Sequence, residues 1–188
     1  MKPDRPAFSL VELIMVILVM GIVTAVVLPQ LEPTIADQLA SAAYVVAADL
    51  DYARSLAVAN NSEYRVRFVM AENRFTLSHM GTNTLLDALP DTPFRDPSEA
   101  PDSQTTWLDE LPATGVRPRL LGVIHGGATE SGQADVEFLP LGGTRSSQAV
   151  NIILAAGMST SARFIPVIVH PVTGLAEVGE LSAQRPVP

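Results

Sequence analysis

Three histidines, His79, His125 and His170, are the first residues to test for chemistry, because imidazole changes charge near neutral pH and is the commonest metal ligand. They are far apart in the chain, none stands in an HExxH spacing, and no GxSxG nucleophile turn occurs. Each is therefore read as a structural or surface group. Gly126-Gly127 and Gly142-Gly143 lack the strand-GxGxxG-helix or GxxxxGK[ST] setting of a phosphate cradle, and predict tight turns instead. Asp87, Asp91, Asp96, Glu99, Asp102, Asp109 and Glu110 offer hard oxygens of the kind calcium takes, but their spacing is not that of a DxDxDG loop, which leaves a solvated face. With no cysteine there is neither a disulfide nor a thiolate site. The expectation is a chain without catalytic residues, metal or cofactor.

Glu12 is different. From Phe8 to Leu28 it is the only charge in 21 residues, and a helix of that length rises about 32 Å, enough for a hydrocarbon core of about 30 Å. A carboxylate inside such a segment costs on the order of a few kcal/mol, so it needs a partner or a route to the interface. Ahead of it, MKPDRPA carries Lys2 and Arg5 against Asp4 and, with the amino terminus, is net positive, a bias that keeps a leader cytoplasmic. A cleaved secretory signal opens in the same way, but its apolar part is about 7–15 residues long and ends in a small-x-small site. This run is longer and ends Leu28-Pro29-Gln30. A plain single-span anchor explains the run but leaves Glu12 unexplained.

The stretch Ala7-Phe8-Ser9-Leu10-Val11-Glu12-Leu13, followed by an apolar helix, resembles the prepilin cleavage and methylation motif of type IV pilins and type II secretion pseudopilins. The resemblance implies cutting between Ala7 and Phe8 by a prepilin peptidase on the cytoplasmic side, N-methylation of Phe8, and pairing of Glu12 with the terminal amine of a neighbouring subunit. Two charges that are each expensive in an apolar filament core become tolerable as a pair. The family usually has Gly where this chain has Ala7. Pro29 sits where pilin-like helices often bend; it removes a helical hydrogen bond and disfavours helical geometry at Leu28.

Beyond Pro29, the apolar positions Leu31, Ile35, Leu39, Ala42, Val46, Leu50, Ala53 and Ala57 recur at steps of three and four, which predicts an amphipathic continuation of the same stalk, stopped by Asn60-Asn61. Period-two stretches predict seven strands, at 63–70, 75–78, 120–124, 134–139, 149–154, 164–169 and 175–178, with a turn at Ala71–Arg74 and Pro166 placing its own strand at an edge or bulge. Residues 81 to about 118 lose periodicity and read as a long Pro-rich loop. The expected organisation is a leader (1–7), a transmembrane and filament-core helix (8–29), a stalk (30–60) and a β-rich head (61–188). The fold class is α+β, a long N-terminal transmembrane-to-periplasmic helix packed on an antiparallel sheet or sandwich. A helix ending Asp51-Tyr52-Ala53-Arg54-Ser55-Leu56-Ala57, a hairpin, Val136-Glu137-Phe138-Leu139-Pro140-Leu141-Gly142-Gly143 and a closing strand–Thr173-Gly174–strand resemble the GspH/FimT-type minor pseudopilins. That resemblance implies a place at the tip or in the initiation of a pilus or pseudopilus.

The formal charge is −8. Without residues 1–7 it becomes 10 basic (12 less Lys2 and Arg5) against 19 acidic (20 less Asp4), or −9. An acidic surface repels phosphate, so nucleic-acid binding would need a local basic patch. Some FimT-like minor pilins take up DNA through basic residues near the C-terminus. This tail carries only Arg185, with Arg117, Arg119, Arg145 and Arg163 scattered, so strong DNA binding is not expected. The implied partners are a prepilin peptidase, other pilin-like subunits, an inner-membrane assembly platform and the membrane itself, with the head extracytoplasmic. The alternative is a tip adhesin or DNA-capturing minor pilin that uses the 81–118 loop.

Overall fold

The computed structural model describes residues 9–27, 34–90, 98–112, 116–158 and 161–186. The chain divides into two units, Met1–Pro33 and Thr34–Pro188. The first contains α1, Leu10–Val27, whose only charged residue is Glu12 in the first turn. Its 18 residues rise about 27 Å, short of a bilayer core of about 30 Å, and over the described residues no helix is long and apolar enough to cross a membrane.

The second unit opens with α2, Ile35–Ala59. Of the stalk expected over 30–60, α2 is the described helix, and it begins at a capping box in which the Thr34 hydroxyl accepts from the Asp37 N–H at 3.2 Å and the Asp37 carboxylate accepts from the Thr34 N–H at 3.0 Å. These two bonds satisfy amides that an interior turn would not leave free. Helical periodicity alone cannot reveal such a start, because apolar spacing is the same at a beginning and in a middle. The expected kink at Pro29 lies outside the described residues. At the other end Asn61 adopts φ 47° and the Ser62 N–H reaches back to the Ala57 carbonyl at 3.1 Å, a left-handed cap that stops the helix at the predicted asparagine pair. Leu39, Ala43, Val46, Leu50, Ala53 and Ala57 form its fully buried stripe. Because steps of three and four place them on one face, and several are alanines, the sheets can approach closely.

Among the described residues, nine strands form two antiparallel sheets. In the first, ordered β3-β2-β1-β6, β1 (Tyr64–Val69) pairs with β2 (Arg74–His79) and with β6 (Gln133–Phe138), and β3 (Ser103–Trp107) adds to the edge of β2. In the second, ordered β5-β4-β7-β8-β9, the strands are β4 (Arg119–His125), β5 (Ala128–Glu130), β7 (Val150–Ala156), β8 (Arg163–Val169) and β9 (Ala176–Val178). α2 lies against β8 and β9 and also meets β1, β7 and β6. Tyr64, Val66, Phe68, Phe138, Ile152, Leu154 and Val167 complete a single core with the helix stripe. This is the expected α+β head.

All seven expected strands are present; β3 and β5 are additions. β3 corrects the reading of 81–118 as a long loop with at most a short helix. Ser-Gln-Thr-Thr-Trp has no apolar alternation because only Gln104 of its five residues is buried, so the pairing with β2 makes it a strand. Pro166 sits inside β8, opposite Ile153, rather than on a free edge. It is tolerated because β9 pairs only with Val167–Val169, while the Pro166 carbonyl accepts from the Gly179 N–H at 2.8 Å. The missing N–H faces that same side, past the end of β9, and no ladder bond to β7 is lost.

Candidate functional site

Glu12 stands in the first turn of α1, where its N–H donates to the Ser9 carbonyl at 3.1 Å. A carboxylate is favourable there because the helix N-terminus carries a partial positive charge. Every described α1 side chain is exposed in this chain, from Leu10 at 75% to Val16 at 49%. A helix that is apolar on all its faces does not suit water, and is the kind found among lipid or packed against other helices. The Glu12 carboxylate has no partner among the described residues, although the Glu12 N–H also lies 3.4 Å from Ser9 Oγ. Ala7 and Phe8, the expected processing pair, lie outside the described residues.

The three histidines remain apart, and no group of three His, Asp or Glu side chains among the described residues could hold a metal ion. His79 is a structural group with two side-chain partners. Its ring is fully buried, Nδ1 lies 2.7 Å from Asp87 Oδ1, and Nε2 lies 2.7 Å from Ser62 Oγ. Because the Gly81 N–H also donates to Nε2, at 3.2 Å, Nε2 is the acceptor and Nδ1 carries the proton. Serine, imidazole and carboxylate therefore fall in the order of a nucleophile relay. However, the one Nε2 lone pair is shared between two donors, and Gly81 is pressed so close that a Cβ there would meet Ser62 Oγ at 2.0 Å. The backbone covers the hydroxyl on that side. The arrangement works as a clasp: it fastens the segment after β2, through Asp87, to the end of α2. Ser62 and Asp87 carry no sequence signal of this, since they lie 17 and 8 residues from His79 and only the hairpin brings them together.

His125 ends β4 with Nε2 buried and unpartnered, and lines a cavity of about 320 Å³ with Asp135, Glu137 and Arg145. His170 is exposed, 3.5 Å from Glu177. On the outer face of the first sheet Arg67 grips Asp135 through two bonds of 2.8 Å. The Arg67 hydrogen bond holds the Asp135 carboxyl below the usual carboxylate range, against the opposing effect of burial. A depressed folded-state pKa means stability that is present above the unfolded value of about 3.9 and lost as pH falls through the lower folded value. Arg67→Ala is expected to cost about 0.5–1 kcal/mol at pH 7, as the pair is partly exposed. In urea unfolding that difference should shrink below about pH 4; a difference independent of pH would contradict the assignment.

The three segments quoted above for the narrower resemblance meet at one place. Arg54 of α2 donates through Nε to the Thr173 carbonyl at 2.6 Å. Gly174 lies against the Gly142 carbonyl, and the Thr144 N–H donates to the Pro171 carbonyl at 2.8 Å. Gly142 and Gly174 both have positive φ, 86° and 63°. The glycine pair thus serves a turn, as expected, and the turn docks the end of β6 against the β8–β9 connection.

No protein-family model and no curated protein matches the chain. Among solved structures, the chain is similar to the crystal structure of the type IV minor pilin FimU of Pseudomonas aeruginosa strain PAO1. The TM-score is 0.44 and the identity 15%, over 80% of this chain and 92% of that one. A likeness of this size carries no functional argument, and the function proposed next rests on the residues of the N-terminal helix.

Proposed function

We propose that this chain is a minor pilin or pseudopilin subunit, stored as a single-pass prepilin in the bacterial inner membrane with its head outside the cytoplasm. It is cut between Ala7 and Phe8, methylated at Phe8, and assembled with other pilin-like subunits through a membrane platform, at the tip or in initiation. The observation that carries the reading is Glu12, the one ionisable group on a helix that is otherwise apolar and exposed on every face. Cutting after Ala7 makes Glu12 the fifth residue and leaves the helix attached, so a new amine and the carboxylate both enter the apolar filament core. Paired across subunits, each offsets the desolvation of the other. Anchoring rests on the sequence run Phe8 to Leu28, which exceeds the described helix at both ends. The head contributes surface rather than a reaction.

Co-expression with a prepilin peptidase is expected to yield a chain whose mass corresponds to an N-methylated Phe8 start. Recovery of uncut protein alone would overturn the reading. Glu12→Ala is expected to leave processing intact while incorporation into filaments drops at least about tenfold, in line with the cost of leaving one buried charge unpaired. Normal incorporation of that variant would remove Glu12 from assembly.

A further inference from the structure

Two patches on the head each lack what the other presents. The first is a groove of about 520 Å³ between α2 and the edge strand β3, lined by Val45, Ala48, Trp107 and Leu111 together with Asp49 and Glu110. Among the described residues, its only ionisable groups are those two acids. Asp49 accepts from the Thr106 hydroxyl at 2.9 Å, and burial pushes its carboxyl above the usual range. Neither acid forms an ion pair among the described residues. Trp107 is 40% exposed, and Arg74, which lies over its ring at 5.3 Å, is held by Glu72. The groove thus offers apolar surface, one aromatic side chain and uncompensated negative charge.

The second patch is a hollow of about 480 Å³ at the start of β4 and the end of β7, lined by Val116, Arg117, Arg119, Leu121 and Met158 with no acid among its lining residues. Arg117 and Arg119 are exposed and form no ion pair among the described residues. Met158 is 83% exposed.

We propose that the groove beside Trp107 receives the Arg117–Arg119 patch of a second copy of this chain. Both surfaces carry apolar side chains, and their charges are opposite and unpaired among the described residues. Two copies of net charge −8 repel each other at long range, so contact needs local opposite charges that overcome that field and set the register. Aromatic and Arg side chains against apolar neighbours are the composition of interface centres. A contact between two different surfaces is heterologous, and repeats into a row of heads unless its rotation closes a ring. This goes beyond the proposed role as a minor subunit, and it does not depend on processing at Ala7.

The chain has no cysteine, so an introduced one is unique. Full-length Pro112→Cys copies, beside the groove, would be mixed with full-length Val116→Cys copies, beside the arginines, in nonionic detergent under mild oxidation. The mixed disulfide is expected to form at least about fivefold faster than that of Pro112→Cys with Val172→Cys, an 85% exposed site elsewhere. Adding Glu110→Arg to the first partner should remove the advantage, and adding Arg117→Glu with Arg119→Glu to the second should restore it. Equal rates for both pairs, or an advantage indifferent to charge reversal, would overturn the proposal and leave the groove to another occupant. If the mixed disulfide forms while the peptidase leaves Ala7–Phe8 uncut, the filament reading fails and this contact stands. Normal processing without the disulfide gives the converse.

Discussion

Asn73→Ala is expected to destabilise the head by about 3 kcal/mol, a fall of roughly 6–12 °C in the thermal midpoint for a unit of this size. Asn73 ends the turn between β1 and β2 at φ 51°, a conformation that costs residues other than Gly, Asn and Asp roughly 1–2 kcal/mol. Its side chain is also a junction. Nδ2 donates to Asp109 Oδ1 at 2.8 Å and to the Pro118 carbonyl at 2.9 Å, and Oδ1 accepts from the Leu120 N–H at 2.8 Å. One amide thereby ties the hairpin of the first sheet to the first strand of the second. Truncation leaves a buried N–H and a buried carbonyl unpaired, at about 1–3 kcal/mol. Asn73→Gly keeps the backbone conformation and loses only the bonds, so it should recover part of the loss. If both variants unfold like the wild type in urea, Asn73 is not the junction.

Gly174→Ala is expected to cost at least about 3 kcal/mol, from a left-handed backbone position and a forced repacking together. At φ 63° an ideal Cβ would lie 2.0 Å from the Gly142 carbonyl oxygen and 3.2 Å from Arg54 Cδ. The side chain can move, but the carbonyl belongs to a turn held by the Leu139–Gly143 and Gly142–Leu139 bonds, each 2.8 Å. The β8–β9 connection must therefore shift, pulling the Thr173 carbonyl away from Arg54 and loosening α2 from the second sheet. Gly127→Ala is the control: its φ is 87°, but nothing lies within 4 Å of the added carbon, so only the backbone cost of roughly 1–2 kcal/mol applies. Equal losses for the two variants in thermal unfolding would show that the contact with Gly142 has no weight.

Most of the head was legible because burial leaves a period. Val66, Phe68, Leu77, Val136, Ile152 and Val167 alternate as strand residues must, and Leu39, Val46, Leu50 and Ala57 recur as a helix face must. β3 was not, because an edge strand of Ser, Gln and Thr draws its order from the neighbour it pairs with. The start of α2 at Thr34 was not either, since a cap is two side-chain bonds rather than a pattern.

Function divides along the same line. The sequence by itself determined the features proposed for processing: a basic leader, Ala7-Phe8, Glu12 and an apolar run, all contiguous, so that spacing along the chain is spacing in the molecule. Only the tertiary structure decided the rest. It buried His79 between Ser62 and Asp87, made Asn73 a junction, and brought Arg54, Gly142 and Gly174 to one point. It also set Asp49 beside Trp107 in one groove. The Arg54–Thr173 bond at that point joins residues 119 positions apart, and such pairings exist only once the core has placed the backbones that carry them.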